Sequence, residues 1–228
     1  MRPMIPMLFA VMLATEAAPA DSAPRVETVS FKSAMTGMSL PYSVVLPVDY
    51  ASSPSTRYPV LYLLHGLSDH SSTWLQRTNL VDHAAPYGLI IVAVEGNNGW
   101  YTDSATAPTE KYESYLLQEL IPDVQSRYRT IEEGYARGLA GQSMGGYGSL
   151  KIGLKHPDEF AFAASLSGAL RAARYTEKDG GGWDLVWQSI RRAFGPCCRA
   201  ARSGVSRKLL TWSRCFSWML MMESVRPA

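Results

Sequence analysis

The chain has 228 residues, 46% of them apolar and 18% charged, with a net charge of +2. That balance suits one folded domain with a sizeable core. It gives no electrostatic footprint for nucleic acid or an acidic partner, and no apolar run reaches the ~18–20 residues a membrane helix needs.

The first 20 residues read as a secretory leader. Arg2 is the positive flank, Met7 to Ala14 the short apolar stretch, and Ala18-Pro19-Ala20 a small-x-small cleavage site. The expected location is therefore secreted or periplasmic, with the cytoplasm as the alternative. Residues 26–34 and 38–47 predict two antiparallel strands joined around Gly37. Tyr58 to Leu64 is a continuous apolar run, as expected of a strand buried on both faces. The loop His65-Gly66-Leu67-Ser68-Asp69-His70 follows, then a helical stretch around 73–84 that places Trp74 in the core.

Leu89 to Val94 predicts a second buried strand, ending in the polar loop 95–103. Leu116, Leu117, Leu120, Ile121, Val124 and Tyr128 recur at helical spacing, so 113–128 reads as a helix that Pro122 bends. Ala136 to Ala140 is a short strand, 144–155 a helix, Phe160 to Leu166 a buried strand, and 183–194 a helix after Gly180-Gly181-Gly182. Strands alternating with helices imply an α/β fold with a mostly parallel sheet covered on both faces.

The character changes after Pro196. Residues 197–228 hold six Lys or Arg against one acid, Glu223, and all three cysteines, Cys197, Cys198 and Cys215. The domain is therefore expected over 21–196, with an atypical tail beyond. No metal-ligand spacing is present, and no cofactor is called for.

The chemistry concentrates at Gly141-Gln142-Ser143-Met144-Gly145. Gly-x-Ser-x-Gly between a strand and a helix is a nucleophile elbow, a turn so sharp that the serine backbone is strained. Flanking glycines avoid collisions with neighbouring strands, and the helix N-terminus lends partial positive charge. Acylation of Ser143 needs two backbone N–H groups aimed at the carbonyl oxygen as it becomes an anion. Met144 supplies one, and Leu67, in the loop after the 58–64 strand, the other. His65 reads as the residue that orients this loop.

Four motifs in order carry a resemblance: Tyr58 to Gly66, Asn98 to Asp103, Gly141 to Gly148 and Ser165 to Leu170. Over about 25–195 the chain resembles the esterase family that takes in esterase D (S-formylglutathione hydrolase), tributyrin-type carboxylesterases, feruloyl esterases and mycolyltransferases. The resemblance implies an α/β-hydrolase fold, a Ser-Asp-His triad, and hydrolysis of small-molecule esters with short acyl chains or small aromatic acids. The alternatives are acyl transfer to a sugar hydroxyl on the same fold and a non-catalytic remnant. Trp100 and Tyr101 are expected either to line the substrate pocket or to pack over the sheet end, and Glu95 and Asp103 to meet a polar leaving group.

The triad partners depart from the pattern. The family places its Asp and His after the 183–194 helix, yet no histidine follows His156 and no aspartate follows Asp184. His156 lies a helix length from Ser143, roughly 20 Å at ~1.5 Å per residue, far beyond the ~3 Å a base needs. His156 and Asp158 therefore read as surface residues, His83 has no carboxylate partner by spacing, and His70 is the least implausible stand-in. A reading-frame shift at about Pro196–Cys197 would join this absence to the change in composition. It would also leave the 160–166 strand as an exposed apolar edge.

Overall fold

A computed structural model describes residues 24–172 and 185–195. Residues 1–20, read above as a leader, and the tail with its three cysteines lie outside the described residues. Six strands form one sheet: β1 (Arg25–Val29), β2 (Tyr42–Leu46), β3 (Val60–Leu64), β4 (Ile90–Val94), β5 (Arg137–Gln142) and β6 (Phe162–Leu166), in the order β1-β2-β4-β3-β5-β6. β1, β2 and β4 pair antiparallel, while β4, β3, β5 and β6 run parallel. Leu64 stands opposite both Val94 and Gly141, and Gln142 opposite Leu166. The parallel strands therefore end together, and the loops that leave them share one rim of the sheet, where ligands meet open parallel sheets.

The apolar runs that predicted β3 and β4 are buried, because helices cover both faces. One face holds Tyr42, Tyr62, Leu64, Val92 and Leu139 against Leu116, Leu120, Val124 and Ile152. On the other, Val45, Leu63, Ile91 and Ala140 meet Leu75, Leu80 and Val81. Among the described residues no helix is long and apolar enough to cross a membrane.

β1 and β2 are shorter than the 26–34 and 38–47 stretches expected for them, and the elements differ from the sequence expectation in three further places. The 73–84 stretch is two short helices, α1 (Thr73–Arg77) and α2 (Leu80–Ala84). The Thr78 hydroxyl donates back to Trp74 O at 2.5 Å and accepts from Leu80 N at 3.2 Å, which competes with the helical ladder at that point. Trp74 is accordingly half-buried on the second face rather than central.

The 113–128 helix is α3 (Tyr112–Tyr115), a π turn over Leu116–Leu120, and α4 (Ile121–Arg127). Pro122 has no N–H to give and its ring crowds the carbonyl one turn back. The wider π turn just before it absorbs the misfit, so Pro122 widens the helix rather than only bending it.

The last strand, β6, starts at Phe162 and is half-buried, not buried. Among the described residues β6 pairs with β5 alone, and Leu166 is 49% exposed.

A buried charge ties two helices on the first face together. Glu113 of α3 accepts from Lys151 Nζ at 2.8 Å and Lys155 Nζ at 2.6 Å, both on α5 (Met144–Lys155), with His156 Nε2 at 3.0 Å. Burial by itself pushes the Glu113 carboxyl up, but the Lys151 charge and three hydrogen bonds outweigh it and hold it at about 2. The folded carboxylate thus binds its proton more weakly than an unfolded glutamate. The stability it contributes is complete above about pH 4.5 and is lost as pH falls toward 2. Glu113→Gln is expected to cost about 1–3 kcal/mol at neutral pH, because the partly buried Lys151 loses its counter-charge. Its melting temperature should also vary less between pH 4.5 and 2 than that of the unsubstituted chain. Thermal melts across that range check both; a variant keeping the full acid slope would show that another carboxylate carries it.

Candidate active site

β5 carries no side chain larger than leucine between Gly138 and Gly141, so it can lie flat in the sheet until the chain reverses at Ser143. Ser143 adopts φ 54° and ψ −113°, a strained conformation for a residue with a Cβ. Backbone bonds on both sides hold it. Its N–H donates to Leu166 O at 3.0 Å, and its carbonyl accepts from Tyr147 N and Ala169 N, each at 3.0 Å. The turn also requires close approach. A Cβ on Gly145 would sit 2.2 Å from Leu64 O, and one on Gly141 2.4 Å from the Gly145 carbonyl.

Ser143 stands at the N-cap of α5, but its hydroxyl makes no capping hydrogen bond. A serine kept only to finish a helix would use its oxygen for that purpose. Here the serine is half-exposed at the positive end of a 12-residue helix. Met144, the next residue, is fully buried.

The loop after β3 lies directly against this turn: a Cβ on Gly66 would come 2.5 Å from Gln142 Oε1. Leu67 is half-buried against the main core. His65 orients the loop, as the sequence suggested. Its ring is 1% exposed, and Nδ1–H donates to Gly66 O at 2.7 Å. Nε2 faces Glu95 Oε1 at 3.1 Å and the Gly96 N–H at 3.0 Å.

Burial and prior partners take Glu95 away from ligand contact, Asp103 stays exposed but already holds Ser114, and of the two readings open for Tyr101 the packed one is observed. Glu95 is 4% exposed and accepts from Ser71 N at 3.0 Å and Asn97 N at 2.9 Å besides facing His65. Burial raises its carboxyl, yet those hydrogen bonds prevail and leave it below the ordinary range. Glu95 is thus a loop organiser, not a contact for a leaving group. Asp103 accepts from Ser114 N at 3.0 Å and Ser114 Oγ at 2.6 Å, so its carboxylate is engaged in holding α3. Tyr101 is 1% exposed, with its hydroxyl on the His65 backbone, and packs over the sheet end instead of facing a pocket.

Trp100 is placed differently. Its Nε1 donates to Ser189 Oγ at 2.9 Å on α6 (Leu185–Phe194), and its ring meets Tyr147 and Phe194 edge-on. It lines a cavity of about 270 Å³ with Gly168, Ala169, Leu170, Val186 and Ile190. Ala169 is the residue whose N–H holds the Ser143 carbonyl, so the cavity lies beside the turn.

All four histidines fall within the described residues, and no hydrogen bond joins any of them to Ser143. His65 serves its loop, His156 faces Glu113, and His83 is exposed on α2. His70 is 71% exposed, with Nδ1 3.7 Å from Glu95.

Sequence reasoning missed the clamp at Leu166 and Ala169 and the Ser189 anchor. The small residues of Ser165-Leu166-Ser167-Gly168 were the available signal: they let the loop after β6 close on the elbow, and Ser167 does so at φ 49°.

The description "Putative esterase" matches this chain over residues 33–214, continuing past the compositional change at Pro196. An esterase of Mycobacterium tuberculosis is 35% identical over 152 residues, covering 65% of this chain and 33% of its own. An endo-1,4-β-xylanase/feruloyl esterase of Xylanibacter ruminicola is 27% identical over 221 residues, covering 85% of this chain and 30% of its own. The chain therefore spans about a third of the length of these two relatives. A solved ferulic acid esterase superposes with a TM-score of 0.60 at 30% identity, covering 64% of this chain and 59% of that one. With its elbow seated on a mixed, mostly parallel sheet and the match running through most of its length, the chain belongs to the Putative esterase family and has the α/β-hydrolase fold.

Proposed function

We propose that this chain is a serine carboxylesterase that forms an acyl-enzyme on Ser143 from esters of short or small aromatic acids. The observation that carries the reading is the Ser143 hydroxyl, held in a strained turn, free of any capping bond, at the head of α5. The hydroxyl attacks the ester carbonyl. Charge builds on the carbonyl oxygen, and the Leu67 and Met144 backbone N–H groups receive it. The alcohol leaves carrying the serine proton, and water then adds to the acyl carbon, returning a proton to the Ser143 oxygen as the acid is released.

The cavity beside the turn supports an acyl group with a ring or short chain, since Trp100, Leu170, Val186 and Ile190 line most of it and, among the described residues, Arg171 is the one charged residue of its lining. The feruloyl and ferulic acid esterases among its relatives support the same class. The described residues supply nucleophile and oxyanion donors, and no histidine is paired with Ser143. Turnover of this chain is therefore expected to be slow, sustained by oxyanion stabilisation and binding.

A fluorophosphonate probe followed by peptide mass analysis tests the reading. The adduct should sit on Ser143, and Ser143→Ala should abolish it; labelling that survives this substitution would place the nucleophile elsewhere. In hydrolysis assays an added alcohol should leave the acid product dominant, whereas a dominant transferred ester would make the chain an acyltransferase.

Trp100→Phe is expected to enlarge the cavity. Relative rates should move roughly tenfold toward bulkier aryl esters over acetyl esters, the size of effect that pocket volume commands. A series of p-nitrophenyl and naphthyl esters measures it, and an unchanged ratio would put the acyl group elsewhere.

A further inference from the structure

Trp100 and Tyr101 are two consecutive bulky residues in the left-handed region, at φ 57° and 49°. Such backbone is costly for residues with a Cβ and persists only where the surroundings over-determine it. Ser189 holds Trp100 through its indole N–H. What holds Tyr101 is more unusual, because it spans the two halves of the proposed site.

At one end, the Tyr101 carbonyl accepts from Lys151 Nζ at 2.7 Å. Lys151 lies two turns along the helix that starts at Met144, and it is anchored in turn by Glu113 at 2.8 Å. At the other end, the Tyr101 hydroxyl accepts the His65 N–H at 2.8 Å and donates to His65 O at 3.3 Å. His65 is the first residue beyond β3, whose ladders with β4 and β5 end at Leu64. Its N–H is buried and has left the sheet, so a partner is obligatory. Burial keeps the Tyr101 hydroxyl protonated far above its ordinary range, so it can accept and donate together.

The ring between these ends is clamped. A Cβ on Gly96 would stand 2.4 Å from it and one on Gly148 2.8 Å from the Tyr101 side chain. The His65 ring meets it edge-on, with centroids 5.8 Å apart. Two glycines, one on the β4 loop and one on the elbow helix, thus make room for one side chain.

We infer that Tyr101 is a positioning residue, a rigid spacer that sets the Leu67 N–H on the β3 loop against Ser143 and Met144 on the elbow. This rests on the esterase reading and adds to it. Neither backbone N–H can be tuned by its own side chain, so their separation depends on how the β3 loop and α5 are braced. Tyr101 touches neither the substrate nor the reacting atoms; it acts through His65, two residues before Leu67.

Tyr101→Phe keeps the ring and removes the two hydroxyl bonds. The measurement is the rate of Ser143 modification by a fluorophosphonate, resolved into the binding constant and the maximal inactivation rate, with amide exchange on the same protein. The expected result is binding within about twofold of the unsubstituted chain and an inactivation rate lower by about tenfold or more. Exchange should quicken at residues 65–67 and stay unchanged along 145–155. An unchanged inactivation rate overturns the proposal and leaves the esterase reading standing. Quickened exchange throughout the molecule overturns it in favour of a purely structural tyrosine. An unsubstituted chain that resists the probe sinks the esterase reading itself, and this proposal with it.

Discussion

The contact on which the rest depends is that between the first turn of α5 and the end of β3. Gly145 lies so close to Leu64 O that no side chain fits between them. The helix can therefore start immediately after the strand, with no connecting loop to relax the turn. All the misfit falls on Ser143, which takes up a backbone conformation that serine avoids when free. The same proximity brings the β3 loop, the α5 N-terminus and the serine hydroxyl to one point on the sheet rim.

Strain of this kind needs external support, and the support comes from every neighbouring loop. Leu166 O and Ala169 N bond the Ser143 backbone from the β6 side. His65 and Glu95 stiffen the β3 and β4 loops against each other, burying an ionisable pair away from solvent. Lys151 and Glu113 fasten the elbow helix to its neighbour α3. Such buried polar groups contribute little net stability compared with apolar packing. What they do supply is geometry, since each charged or polar atom accepts few arrangements other than the observed one.

Much of the architecture was legible in order along the chain. The apolar runs at 58–64 and 89–94 are β3 and β4 because a strand buried on both faces needs no alternation. The elbow was legible because glycine spacing around Ser143 reflects a steric limit that no other residue meets. The helix 113–128 was legible in extent but not in kind, since the π turn ahead of Pro122 leaves the apolar spacing nearly unaltered. Thr78 broke the 73–84 stretch through a side-chain bond to Trp74 O that helix periodicity does not report.

The sequence by itself determined the part of the candidate site that chain-local sterics dictate: the Ser143 turn, with Met144 beside it. Only the tertiary structure decided the fate of the polar and aromatic residues near that rim. Glu95, Asp103, Trp100 and Tyr101 are equally plausible ligand contacts when read as types, because each offers a polar or aromatic group in a glycine-flanked loop. Three of them are already engaged by His65, Ser71, Asn97 and Ser114, while Trp100 alone among the four borders the cavity. Pairings across gaps as wide as His65–Tyr101 and Trp100–Ser189 depend on how the loops fold over one another, and no local periodicity encodes that.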